Sequence, residues 1–293
     1  MNNLIIRKEV IKFNSPSEYS LTKGKLLKSL SICEFDDAAC EITYLTEEIT
    51  PMNTDEERIK VLLLFKNPHP DSIDGGLFFS EAHSKLFWVR FFEVDCNQEL
   101  RSLLNSTDRI KKIADTMASG DYDCPFLYYF RCFYPFPSRQ FADLEKFFGG
   151  APLTYQKEIL DRSEEELKAY IKQHDIGIII AFFKDAMALL GGTAFAKSED
   201  VIKNAKVGMK KALLQNNDSL FWQKNPNFKQ EINDNVKVYL NINTRLKNGK
   251  MTDNNNVKLE KRYFTYNLEL ILRDVLKLYG ASNAPSVSPV GKK

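Results

Sequence analysis

The chain has 293 residues, with 41 Lys+Arg against 39 Asp+Glu, and 43% of it is hydrophobic and 12% aromatic. Charges this even and rings this frequent exclude a disordered chain, and no apolar run reaches the roughly 18–20 residues that span a bilayer. Met1-Asn2-Asn3 lacks the apolar core of an export signal, so the expectation is a soluble chain of the cytoplasm, or of a nucleus, that is not secreted.

Taken in chain order, residues 4–6 and 10–13 read as a short strand and 20–30 as a helix. Residues 41–45 are a short extended segment, followed by an acidic loop over 47–57. Val61-Leu62-Leu63-Leu64-Phe65 is a continuous apolar run bounded by charge and proline, as in a strand buried on both faces of a parallel sheet. Pro68 and Pro70 stop it. A glycine-containing loop over 71–80 leads to a helix over 81–92. A second helix covers 106–117, with Ser106 or Thr107 as its N-cap. The run 125–133 is the next strand, again ended by prolines. Short and long helices follow over 140–148 and 154–174. A third buried strand occupies 176–183, with helices at 185–190 and 198–215. A fourth strand spans 236–242, a basic polar loop surrounds 248–256, and a last helix covers 263–279.

Single apolar strands alternating with helices predict an α/β fold. Its architecture would be a three-layer sandwich with a central, mostly parallel four-stranded sheet flanked by helices. No linker divides the chain. The expectation is one domain over 1–280, with 1–45 as an extension packed on it and 281–293 as a disordered tail. In such sheets ligands bind beyond the carboxyl ends of the strands. The informative segments are therefore 66–80, 131–139, 184–186 and 241–256.

The near-zero total charge hides an asymmetry. Residues 1–200 hold 24 basic against 32 acidic side chains, and residues 201–293 hold 17 against 7. A basic last third is either an unevenly sampled solvated surface or a face for a polyanion. Five cysteines without a C-x-x-C pair fit a reducing compartment and give no zinc or iron–sulfur spacing. Three histidines, His69, His83 and His174, ask for no metal, and no cofactor is expected.

The segment after the first buried strand is the most unusual. Asn67 and His69 sit on a proline-stiffened turn. Gly75-Gly76 lets the chain fold back, and Phe78, Phe79, Phe87 and Trp88 follow. A rigid polar turn facing rings suits a flat heterocycle, with stacking on its face and hydrogen bonds at its edge. Each ring taken alone fits a core position equally, and Asn-Pro is also an ordinary turn starter.

Together, Asn67-Pro68, Phe79 and Ser84-Lys85-Leu86-Phe87-Trp88 resemble the first motif of the uracil-DNA glycosylase superfamily, closest to its mismatch-specific uracil/thymine branch. The similarity covers about 61–190. Phe65-Lys66 stands where the family usually has glycine, and His69 replaces a Gly or Tyr. The resemblance implies hydrolysis of the N-glycosidic bond of uracil or a related base flipped from DNA. Asn67 and His69 would be catalytic, and Phe79, Pro68, Tyr129 and Arg131 would lie against the base. In place of the second motif stands Leu240-Asn241-Ile242-Asn243-Thr244-Arg245-Leu246. There Asn243 or Asn241 takes the polar role and Leu246 the wedge, with Arg245, Lys247 and Lys250 on DNA phosphates. The alternatives are an inactive member of the same fold that binds nucleic acid, nucleotide or protein, and an unrelated α/β enzyme.

Overall fold

The structure is a computed structural model that describes residues 5–28, 31–53, 57–80, 86–183, 190, 236–241, 250–252 and 258–280. The expected helices over 185–190 and 198–215 fall outside the described residues, apart from residue 190. A sheet of seven strands runs through the fold, with a two-stranded ribbon beside it. Strands β1 (Ile6–Lys12), β2 (Cys33–Asp36) and β3 (Glu41–Ile49) are antiparallel to one another, β3 pairing with both others. Four further strands, β4 (Ile59–Phe65), β5 (Phe126–Cys132), β6 (Ile178–Ala181) and β7 (Lys237–Leu240), pair in parallel in the order β5-β4-β6-β7. Strand β3 joins the two halves through Glu48 opposite Arg131 and Ile49 opposite Phe130. The ribbon is β8 (Lys250–Thr252) with β9 (Lys258–Arg262).

The four expected strands are the parallel half. The expected 1–45 extension and part of the expected acidic loop supply the antiparallel half. Strand β1 alternates charge with Val10 and Ile11, and β3 carries Glu47 and Glu48 at its end. The sequence predicts the first as a short strand over 4–6 and 10–13, and the second only as an extended segment over 41–45 running into an acidic loop. They pair because β3 is held on both edges, which satisfies its backbone groups whatever its side chains are.

Helices contribute to a core on each face. One core gathers Phe65, Phe130, Ile180 and Tyr239 of the sheet. Packed there are Phe87 and Phe91 of α3 (Leu86–Phe91), Ile113 and Met117 of α4 (Arg109–Ser119), and Leu268, Ile271 and Val275 of the last helix (Tyr263–Leu278). The other core gathers Leu62, Leu64, Tyr129 and Ile179. It is covered by Tyr19 and Leu26 of α1 (Pro16–Leu26), Leu144 and Phe148 of α5 (Phe141–Phe148), and Leu167, Tyr170 and Ile171 of α7 (Arg162–Gln173). The period of two along each strand assigns the faces, so neighbours such as Leu63 and Leu64 enter different cores.

Helix details depart from the sequence expectation. The helix expected over 20–30 is α1, at Pro16–Leu26. The helix expected over 106–117 begins at Arg109 with Asp108 before it, so neither Ser106 nor Thr107 is its N-cap. The long helix expected over 154–174 is the short α6 (Pro152–Thr154), a π-helical stretch over Tyr155–Asp161, and α7.

No helix among the described residues is long and apolar enough to cross a membrane.

Candidate functional site at the carboxyl ends of β4 and β6

The connection after β4 leads to β5 on one side, while β6 lies on the other side of β4 and leads on to β7. The direction in which strands are added to the sheet therefore reverses between β4 and β6, the place beyond whose carboxyl ends open α/β sheets have their binding crevice. Phe65 ends β4, and Phe182 follows β6, its N–H donating to Leu64 O at 2.9 Å. The two rings stack at 4.9 Å and 19°, and Phe264 stacks on Phe182 at 5.7 Å. These rings close the core at the carboxyl ends of β4 and β6.

The loop after β4 is fixed by its own chemistry. Phe133 N–H donates to Phe65 O, Tyr134 N–H to Lys66 O and Ser138 N–H to Pro68 O, so the loops after β4 and β5 run zipped together. Asn67 completes the seam: its Nδ2 donates to Ser138 O at 2.9 Å and Ser138 Oγ at 3.0 Å. A carbonyl oxygen accepts only, so the amide nitrogen must be the atom facing Ser138. Both N–H groups of Asn67 have acceptors inside the protein, and among the described residues no donor reaches its Oδ1.

Pro68 is buried. His69 is the N-cap of the six-residue α2 (Pro70–Gly75), its Nδ1 accepting from Asp71 N–H at 3.3 Å. In the neutral ring the proton then sits on Nε2. Gly76 closes α2 at φ 74°, and at Gly75 a Cβ would lie 2.1 Å from Ser80 Oγ, so the glycine pair lets the loop turn back.

Phe79 also lies in the left-handed region, at φ 55°, without glycine's freedom. That conformation costs a non-glycine residue ~1–2 kcal/mol. Its surroundings hold it there. Trp88 Nε1 donates to Phe78 O at 2.6 Å, and the Phe79 ring stacks on Phe87 at 4.4 Å and meets Phe65 edge-on at 4.9 Å. The ring is only half-buried. Backbone strain held by packing is a marker of functional sites.

Asn67, Pro68, His69 and Phe79 thus share one loop around Phe65. Tyr129 and Arg131 do not join them. They point into the other core, across the sheet from Phe79. Tyr129 packs on Tyr170 and His174. Arg131 is buried against Glu48, Glu166 and the Tyr170 ring. Asn243, Arg245, Leu246 and Lys247 lie outside the described residues, and of Lys250 only the backbone, in β8, is described. Asn241, the other choice for the second motif, is buried at the end of β7, and its N–H donates to Ala181 O.

Sequence reasoning missed Ser138 and Phe182. Ser138 is 71 residues from Asn67. Its only signal was a place in the proline-rich segment after the second buried strand. Among the described residues no cluster of three or more His, Cys, Asp or Glu side chains could hold a metal.

No family model and no curated protein matches the chain.

Proposed function

We propose that the chain is a monofunctional glycosylase of the uracil-DNA type, hydrolysing the N-glycosidic bond of uracil or a related base flipped out of DNA. One observation carries the reading: a strained, half-buried Phe79 ring stands beside the β4 end that presents Asn67, at the reversal point of the parallel strands. An aromatic face with a fixed amide edge is what a flat, unstacked base requires. The four parallel strands and their helices also follow the element order on which the resemblance to this superfamily rests. The chain would act in the cytoplasm or a nucleus.

Glycosidic cleavage develops positive charge on the sugar and negative charge on the leaving base. With its N–H groups on Ser138, Asn67 acts as an acceptor only. Its Oδ1 orients the attacking water or accepts an N–H of the base. It cannot take the water's proton, so turnover is slow and confined to good leaving groups. His69, carrying its proton on Nε2, supplies a donor for the leaving base. Phe79 stacks on the base, above Pro68. Asn243, Arg245, Leu246, Lys247 and Lys250 hold the DNA, with Leu246 as the wedge.

The test is a labelled oligonucleotide containing uracil, treated with protein and then alkali. Strand cleavage is expected, and it should vanish in Asn67→Ala protein that still melts cooperatively. No abasic product from uracil, a thymine mismatch or common lesions sinks the proposal.

A second reading has its own support. The Asn67 amide is committed to Ser138 and no carboxylate stands in its place, which suits a binding module of the same fold that has lost catalysis. Salt-dependent binding of a uracil oligonucleotide without product would favour it.

A further inference from the structure

Away from the crevice, beneath the aromatic core, the segment Asp95–Asn105 lies beside the start of β5 and brings two cysteines together. Cys96 Sγ and Cys124 Sγ both contact Asn97 Oδ1, at 3.6 and 3.5 Å, and both contact Tyr128 Oη, at 3.8 and 3.9 Å. Tyr128 has a single hydroxyl proton, and the 2.9 Å bond to Asn97 Oδ1 takes it. Two sulfurs thus converge on one amide oxygen and one phenol oxygen, in a part of the protein with no assigned task.

We propose that Cys96 and Cys124 form a reversible disulfide when the protein meets a peroxide. One thiolate attacks a peroxide oxygen and breaks the O–O bond, expelling hydroxide and becoming a sulfenic acid. The second thiolate attacks that sulfur and expels the second hydroxide. The two thiol protons turn both hydroxides into water. Two thiols and one hydrogen peroxide thus give a disulfide and two waters, with sulfur oxidised and peroxide reduced.

The local chemistry favours this pair over Cys33 and Cys132. Burial alone would push the Cys124 thiol up, but neighbouring Cys96 and the Phe126 N–H hold it below its usual value. Cys124 and burial push Cys96 up instead. Cys124 is buried, while Cys96 keeps some exposed surface through which a small oxidant can enter. Burial pushes Cys33 up to about 12 and holds Cys132 well above the ordinary thiol range, so both stay protonated and slow to react.

The pair is also wired to the crevice. Asn97 Nδ2 donates to Phe91 O at 3.0 Å, holding the end of α3. The same helix carries Phe87, on which Phe79 stacks. Closing the disulfide pulls both sulfurs off Asn97 and loosens that anchor. Any effect on activity rests on the function proposed above, whereas the cross-link does not.

The experiment treats folded, fully reduced protein with hydrogen peroxide, blocks remaining thiols and digests with trypsin without reductant. Cleavage after Arg90, Arg101, Lys112 and Arg131 puts Cys96 in peptide 91–101 and Cys124 in peptide 113–131, apart from Cys132. The expected product joins these two peptides, is undone by dithiothreitol, and lowers the titre from five thiols to three. Cys96→Ser and Cys124→Ser should each abolish it and leave an unpaired thiol. The proposal is overturned if folded protein loses thiols without this cross-link, or if the link forms only in urea. Absence of glycosylase activity from the reduced parent protein would count against the function and not against the disulfide.

Discussion

The two faces of β5 solve opposite problems. On one face Tyr128 and Phe130 enter an aromatic stack that ends at Phe79. On the other, Arg131 enters a network in which Arg7, Glu9, Glu48, Arg162 and Glu166 pair across β1, β3 and α7. The aromatic face is apolar and holds a strained residue at the crevice. The charged face ties the antiparallel half of the sheet to the parallel half where only two residue pairs join them. Burying a charge is tolerable only with partners this close. The difference assigns Arg131 to cohesion of the fold and leaves Phe79 as the base-binding candidate, although both stood as such in the sequence.

The comparison breaks most easily at Arg131. Arg131→Met removes the buried cation between Glu48 and Glu166 and leaves them only the more exposed Arg7 and Arg162. Removing one partner of a buried pair costs ~3–5 kcal/mol, so the urea midpoint should fall steeply, and adding Glu48→Gln should recover part of the loss. An unchanged midpoint in Arg131→Met would show that the network does not join the two halves.

Phe87→Ala is the matching cut on the aromatic face. It deletes the ring that contacts Phe65, Phe79, Phe91, Phe182 and Phe264. A buried Phe→Ala costs ~3–5 kcal/mol, with the lower end expected because Trp88 and Phe91 remain to close the gap. Phe79→Gly sharpens the contrast. Glycine accepts φ 55° without strain, which offsets part of the lost packing, so stability should shift by less than ~2 kcal/mol. Base excision, or binding of a uracil oligonucleotide, should nevertheless fall at least tenfold. A variant that keeps full activity removes the ring from the site.

Asn67→Asp comes next. A carboxylate has no N–H for Ser138 O and places negative charge against it. Losing a hydrogen bond to a part-buried group costs ~1–3 kcal/mol, read as a lower melting temperature. Ser138→Ala removes only the Oγ acceptor and should cost less, since the backbone O remains. Equal effects would mean that the seam is not held as described.

The legible and illegible parts of this molecule divide along physical lines. Runs such as Val61–Phe65 and Ile178–Ala181 are apolar on both faces, a pattern that says strand and parallel sheet together. Strand β1 is an edge strand whose charged middle interrupts the pattern, so only its apolar ends at 4–6 and 10–13 read as strand, and its pairing with β3 is a long-range fact. In the site, Asn67, the glycine pair and Phe79 were readable because turn chemistry is local. Their tasks were not. Asn67 answers to Ser138 across two loops, and His69 caps a helix where Ser, Thr, Asp or Asn is the expected residue. Tyr129 and Arg131 were misplaced by neglect of strand alternation: with Phe130 on the crevice side, both of its neighbours must face away.

The smallest effect belongs to the charged face and is read by pH. His174 follows α7 and packs on Tyr129 and Tyr170. Burial lowers its pKa, with Lys60 and Arg131 adding to the shift and Glu48 opposing it. A folded-state pKa below the unfolded value of about 6.5 means that the unfolded chain binds the proton more readily. Stability should therefore be full above about pH 7 and fall as pH drops through about 6.5, levelling off below the folded pKa. His174→Gln keeps a polar side chain that does not titrate, so its urea midpoint should lose the slope that the parent shows as pH falls through about 6.5. Parallel slopes in the two proteins would move the titrating group elsewhere. They would leave the charged face held by its carboxylates and guanidinium groups alone.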